Sequence, residues 1–191
     1  MYILGLFFGD GWFEKRGIAI ATKDENRALV IADTIKRLYG KTPSLRLRRC
    51  NSNGHEVWWV RLWSSKVAKR YSELLSVNQR KSLNAKPPRE VFKRNKDLEI
   101  CFVVGVIDAE GWIYKWRGMP RISMEIYDEE MSKYIFQALR RHGIKCSLSI
   151  CKDGAYRIDI TGSHVFTFIK FIPGYLPAAV PRRVPAVNDA G

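Results

Sequence analysis

A ten-residue segment occurs twice in this 191-residue chain, and that repetition restricts the fold more than any other feature. Ile3-Leu4-Gly5-Leu6-Phe7-Phe8-Gly9-Asp10-Gly11-Trp12 returns 100 positions later as Val103-Val104-Gly105-Val106-Ile107-Asp108-Ala109-Glu110-Gly111-Trp112. Glycine, small residue, acid, glycine and tryptophan stay in register. Weaker matches follow downstream: Ser44-Leu45-Arg46-Leu47 with Ser147-Leu148-Ser149-Ile150, and the segment from Val60 to Val67 with that from Ile158 to Val165. A chain of this kind is two copies of one supersecondary unit.

Local patterning gives each copy the same order. A short apolar helix ends at the acid. Two strands follow, near 12–16 and 18–22 in the first copy and 113–116 and 121–127 in the second. An amphipathic helix then runs near 25–39 and 129–142, closed by Gly40 and Gly143 as left-handed stop signals. A second hairpin covers 44–50 and 56–63, turning at Asn51-Ser52-Asn53-Gly54, and in the other copy 146–151 and 156–161, turning at Lys152-Asp153-Gly154. A last helix spans 65–75 and 163–171. The reading is a mixed α/β chain, αββαββα twice, with residues 1–78 as the first half, a basic linker over 79–98 containing Pro87-Pro88, and 99–191 as the second half.

Charge narrows the choice of partner. Lys and Arg number 33 against 19 Asp and Glu, a net charge of +14. The first hundred residues carry 21 basic and 10 acidic side chains, the remainder 12 and 9. Such a surplus favours a polyanion, and the first half should supply more of the salt-dependent attraction. No apolar run approaches the ~20 residues of a membrane span. The apolar opening lacks a basic leader and reaches Gly9-Asp10-Gly11 too soon for a signal peptide. Cys50, Cys101, Cys146 and Cys151 show no Cys-x-x-Cys spacing, so zinc is not expected and free thiols in an intracellular protein are.

The repeated helix carries the chemistry. Gly5 and Gly9 lie on one helical face, as do Gly105 and Ala109, because residues four apart stack above one another. Small side chains there let two helix backbones approach closely. If the two helices pack through these faces, Asp10 and Glu110 arrive side by side. Two adjacent carboxylates repel unless a proton or a cation lies between them, and a hard divalent cation with oxygen ligands, Mg²⁺ above all, meets that need. A metal held by few carboxylates keeps positions for water and a phosphate oxygen. Spacing and surface charge together point to phosphodiester hydrolysis.

The two segments resemble the LAGLIDADG motif, and the chain resembles a monomeric, double-motif LAGLIDADG homing endonuclease from Ile3 to about Pro181. That resemblance implies two pseudo-symmetric halves with antiparallel sheets forming a saddle on a long DNA site, and motif helices at their interface. It implies double-strand cleavage with Mg²⁺ (Mn²⁺, or Ca²⁺ in a non-cleaving complex) held by Asp10 and Glu110, with the carbonyls of Gly9 and Ala109 as further ligands. The family's earlier motif acid is present as Asp108 and replaced by Phe8 in the first copy; it is not a metal ligand in the family picture. A basic residue supports the family's active site from the end of each half: Lys81 is chosen for the first, Arg182 or Arg183 for the second.

Strand alternation then assigns faces. With Leu45 and Leu47 inward, Ser44, Arg46 and Arg48 face outward; with Val60 and Leu62 inward, Trp59 and Arg61 face outward. Trp58, Trp59 and Trp63 are more often core or sheet-packing residues than base-stacking ones. In the second half Ile122, Met124 and Ile126 point inward, leaving Arg121, Ser123, Glu125 and Tyr127 outward, and the same logic adds Ser147, Ser149, Arg157 and Asp159. A mixed Arg, Ser, Glu and Asp face suits base reading in the major groove as well as phosphate contact. Unlike faces imply an asymmetric double-stranded DNA target. Two other functions fit the same fold: an intron maturase binding RNA, and a DNA-binding regulator without cleavage. The expected setting is intracellular, cytoplasmic or organellar according to the host gene.

Overall fold

The computed structural model describes residues 1–49, 56–77 and 85–172. Helix α1 (Tyr2–Asp10) passes without a loop into β1 (Gly11–Glu14), which turns into β2 (Gly17–Thr22). Then come α2 (Glu25–Tyr39), β3 (Ser44–Arg49), β4 (Glu56–Leu62) and α3 (Ser65–Leu75). A short α4 (Arg89–Arg94) leads to α5 (Lys96–Glu110), where the series begins again: β5 (Gly111–Trp116), β6 (Met119–Ile126), α6 (Glu129–Arg141), β7 (Cys146–Ile150), β8 (Tyr156–Thr161) and α7 (Ser163–Ile169). The double αββαββα order read from the repeat is present. By its internal packing the chain divides into two units, Met1–Ala109 and Glu110–Gly191.

In the first unit the sheet is antiparallel with strand order β1-β2-β4-β3. Its central pair sets Ile18 opposite Leu62 and Ile20 opposite Val60, and all four side chains are buried. Helices α1, α2 and α3 pack on that face. Helix α2 buries Ala28, Ile31 and Ile35, a single stripe at helical spacing. The Asp24 carboxylate accepts the Arg27 backbone N–H at 2.9 Å at its start, and Gly40, at φ 64°, ends it.

Leu47 departs from expectation. Strand alternation places it inward, yet it is 45% exposed, and Leu45 is only half-buried. Strand β3 forms the sheet edge, and the helices pack mainly over β2 and β4, so the core face runs out of cover before it reaches β3.

The expected linker is partly helical. Helix α4 starts directly after Pro88, and α5 begins at Lys96, with the Asn95 side chain accepting the Asp97 N–H at 2.9 Å. The second motif helix is therefore 15 residues long against 9 for α1. Phe92 of α4 is buried and packs on Phe102 of α5, ring centroids 5.6 Å apart.

Helices α1 and α5 are apolar almost all round, the composition of helices enclosed in a core. Ile3, Leu4, Leu6 and Phe7 are essentially inaccessible, a burial worth about 1.5–3 kcal/mol for each side chain. Phe7 also stacks edge-on against Phe13 at 4.8 Å and Tyr71 at 5.2 Å. The two helix backbones touch. A Cβ added to Gly5 would collide with the Phe102 carbonyl and lie 2.8 Å from Val106 N; one added to Gly105 would collide with the Tyr2 carbonyl and lie 2.9 Å from Leu6 N.

In the second unit the sheet repeats the arrangement as β5-β6-β8-β7. Ile122 and Met124 of β6 lie opposite Ile160 and Ile158 of β8, all buried. Helix α6 covers them with Met131, Ile135, Ala138 and Leu139, capped by Asp128, whose carboxylate accepts the Met131 N–H at 2.7 Å. Gly143, at φ 74°, turns the chain beyond its end.

Gly105→Ala should lower stability by about 2–3 kcal/mol, the scale of overpacking against atoms that cannot move aside, read as a fall in the urea midpoint. A midpoint unchanged from the parent would show that the two backbones do not meet there.

Candidate nucleic-acid interface and carboxylate site

Each motif acid stands at a junction. Asp10 is the last residue of α1 and Glu110 the last of α5, and in both repeats a glycine opens the following strand. Gly11 adopts an extended backbone, and its N–H bonds back to the Phe7 carbonyl. A side chain there would strike Phe7, so the helix can turn directly into β1 only with glycine at this position. The local sequence thus holds the acid at the helix end.

Neither α1 nor α5 has a basic residue in its last turn. Helix C-termini carry the negative end of the dipole and attract cations, and here a carboxylate adds to that field. The donors at the two junctions are all oxygen: the Asp10 and Glu110 carboxylates and the Gly9 and Ala109 carbonyls. At each junction taken by itself, oxygen donors suit a hard divalent cation and not zinc. Among the described residues no group of three or more His, Cys, Asp or Glu forms a cage of its own. Lys81, Arg182 and Arg183, the expected basic partners, lie outside the described residues.

Asp108 has a different task. Its carboxylate accepts the Tyr2 hydroxyl at 2.6 Å and pairs with Arg27 at 3.3 Å, and Arg27 also donates to the Asp108 backbone carbonyl at 2.6 Å. The cluster ties the starts of α1 and α2 to α5. At the corresponding place in α1, Phe8 packs on Phe102 at 6.3 Å. Local spacing does not signal Tyr2 or Arg27, because each is 81 or more residues away from Asp108 in the chain.

The open face of the first sheet is cationic and aromatic. Arg46 and Arg48 are exposed, while Ser44, Trp59 and Arg61 are half-buried. The Arg61 guanidinium lies 4.4 Å from the Trp59 ring centre and 3.1 Å from the Glu14 carboxylate, and Arg48 lies 5.7 Å from the same ring. Trp12 stacks edge-on against Trp59 at 5.0 Å, and its indole N–H donates to Glu14 at 3.2 Å. Register explains the cluster: Trp12 and Arg61 both sit opposite Ala19, and Trp59 sits opposite Ala21, so small β2 residues leave room beneath large neighbours. Trp12 and Glu14 were not among the expected interface residues, although alternation along β1 opposite core-facing Phe13 signals them.

The open face of the second sheet is ion-paired. Arg121 Nε donates to Asp159 at 3.0 Å, a second Arg121 nitrogen pairs with the other carboxylate oxygen, and Ser123 also donates to Asp159. Arg157 Nε donates to Glu125 at 2.7 Å, and the Tyr127 hydroxyl donates to Asp153 at 3.0 Å. These bonds to carboxylates hold both guanidinium pKa values above the ordinary range. Ser147 and Ser149, on the edge strand, are exposed.

Two expectations are corrected here. Ser123 is wholly inaccessible and Asp159 is 5% exposed, so neither is presented to a ligand. Both lie on the outward face by alternation, but Arg121 and the Tyr114 hydroxyl, 3.1 Å from Ser123, close over them. They position Arg121.

Three tyrosines have pKa values raised above 10 chiefly by burial: Tyr2, beside the Asp108 charge, and the hydrogen-bonded pair Tyr39–Tyr71. The unfolded chain ionises these groups near pH 10 while the folded chain keeps them protonated, so stability must fall as pH rises beyond about 10. Urea unfolding at pH 8 and pH 11 checks this; Tyr2→Phe should reduce the drop, and a midpoint that rises with pH contradicts it.

Residues 1–76 match the family model described as a LAGLIDADG-like domain. Among curated proteins, none matches the sequence. The fold is shared with the homing endonuclease I-DmoI, solved with DNA and Mn, at 16% identity and a TM-score of 0.61, over 92% of this chain and 96% of that one. It is shared with the homing endonuclease I-WcaI, solved on its DNA recognition sequence, at 14% identity and a TM-score of 0.63, over 92% and 80%. The N-terminal LAGLIDADG domain of DUF199/WhiA is similar at 13% identity and a TM-score of 0.60, over 92% and 82%. At these identities the likeness concerns the fold.

Proposed function

Because residues 1–76 form a LAGLIDADG-like domain and the chain has the two-half LAGLIDADG fold, we propose that it is a site-specific double-strand DNA endonuclease of the homing type, encoded by an intron. The observation that carries this reading is the repeated junction, an apolar helix ending in an acid and a glycine, on two helices whose backbones touch at Gly5 and Gly105. A DNA-binding protein has no use for two carboxylates beside phosphates unless a cation stands between them.

Asp10 and Glu110 would hold that divalent cation, Mg²⁺ in the cell, with the Gly9 and Ala109 carbonyls as further donors. When bound, it supplies Lewis-acid activation of water and stabilisation of the leaving oxygen. The I-DmoI structures solved with Mn, Mg or Ca support divalent metal as the class. Lys81 serves as the basic residue near the scissile phosphate. Arg46, Arg48 and Arg61, with Trp59, supply phosphate attraction and guanine reading from the first half. Arg121 and Arg157, each locked by a carboxylate, present fixed donors from the second, with Glu125, Tyr127, Ser147 and Ser149 beside them. The protein acts as a monomer, since both motifs lie in one chain. An intracellular setting is in keeping with the free thiols at Cys101, Cys146 and Cys151.

The likeness to the N-terminal LAGLIDADG domain of DUF199/WhiA favours a second reading: a DNA-binding protein on the same fold without cleavage. Incubation with Mg²⁺ and DNA carrying the uninterrupted host locus separates the two. Double-strand cleavage is expected, and Asp10→Asn and Glu110→Gln should each lower it by 10²-fold or more, on the order of 3 kcal/mol in the barrier, with DNA binding retained. Cleavage unaffected by both substitutions would remove this site, and binding without any cleavage selects the second reading.

Because one face is cationic and the other ion-paired, the two palindromic substrates made from the left and right half-sites should be cut at rates differing by about tenfold or more. Equal rates would show that the halves read alike.

A further inference from the structure

One end of the first sheet carries a basic cleft that the nuclease reading does not use. It has a volume of about 470 Å³, within the ~300–1,000 Å³ range of small-ligand sites, and is lined by Arg16, Lys41, Trp63, Ser64, Ser65 and Lys66. Topology gathers these residues: Arg16 lies in the β1–β2 turn, Lys41 precedes β3, and Trp63 and Ser64 join β4 to α3. Register confirms the common end, since Ile18 pairs with Leu62 and Ser44 with Arg61.

Three features point to a ligand. First, Arg16, Lys41 and Lys66 come from separate segments, are all exposed, and pair with no carboxylate among the described residues, unlike Arg61, Arg121 and Arg157. Helix α3 adds the positive end of its dipole, with no acid in its first turn and Ser64 already engaged as its cap. Second, Trp63 is 52% exposed, leaving a large aromatic ring in water beside this positive charge. Third, the fold does not require either residue. The repeat aligns Trp63-Ser64-Ser65-Lys66 with Thr161-Gly162-Ser163-His164, which make the same strand-to-helix junction without tryptophan or lysine.

Cations with an open aromatic ring match the phosphate and base of a nucleotide. A base stacked within a duplex offers no face to Trp63, so the base must be unpaired. We propose that this cleft binds an unpaired nucleotide of a single-stranded polynucleotide, its phosphates held by Arg16, Lys41 and Lys66 and its base stacked on Trp63. The site requires neither metal nor the motif acids, so its failure would leave the nuclease reading untouched, and the reverse.

Fluorescence anisotropy of labelled dT12 and U12 with the full chain in EDTA tests it, the tighter of the two naming the natural source. Trp63→Ala should weaken binding by about 5- to 100-fold at constant salt, as loss of one stacked base does, and Trp63→Phe should restore most of it. Lys66→Ala and Arg16→Ala should each flatten the dependence of log K on log salt by about 0.7. Trp63→Ala within twofold of the parent would overturn the proposal, as would displacement of dT12 by inorganic triphosphate as effectively as by unlabelled dT12, which marks a site for phosphate alone.

Discussion

The contact between the α1 and α5 backbones at Gly5 and Gly105 constrains everything built around it. A helix normally meets its neighbour through side chains, which have rotamers and can slide. Here the Cα atoms and carbonyls themselves set the distance, and even a methyl group would not fit. Around that contact Phe7 packs on Phe13 and Tyr71, and Phe102 on Phe92. Because α1 runs into β1 through Gly11, the same contact sets where the first four-stranded sheet begins. The Tyr2–Asp108–Arg27 cluster reinforces it with charge where α1, α2 and α5 start or end.

The repeated framework carries unequal chemistry. At the position of Asp108, a half-buried anchor for Tyr2 and Arg27, the first copy has Phe8 in an aromatic contact. On the open sheet faces, the first copy has exposed Arg46 and Arg48 around a tryptophan, with Glu14 the acid that pairs with Arg61. The second copy pairs each of Arg121 and Arg157 with its own carboxylate. An arginine held by two hydrogen bonds to a carboxylate has less rotamer freedom to lose when a ligand arrives, so it offers geometry; an arginine left in solvent offers charge.

Much of the candidate site follows from short-range pattern. The acids at the helix ends, the glycines beside them and the order of strands and helices depend on spacings of four residues or fewer, which a single segment specifies. The interface residues divide differently. Arg46 and Arg48 are exposed as alternation requires, but alternation cannot say whether an outward residue is also covered. Ser123 and Asp159 point outward and are nonetheless sealed beneath Arg121 and Tyr114.

The chain by itself determined that there are two like units, their element order, and where each acid stands, because periodicity, capping residues and glycine act within a few positions. Only the tertiary structure decided that Leu47 lies on an edge beyond helical cover, that Arg61 joins Glu14 and Trp59, and that Asp108 clamps Tyr2 and Arg27. Those outcomes depend on cross-strand register and on helices meeting from distant parts of the chain. Residues 81 or 106 positions apart share no local pattern, and become neighbours only once the glycine faces have brought their helices together.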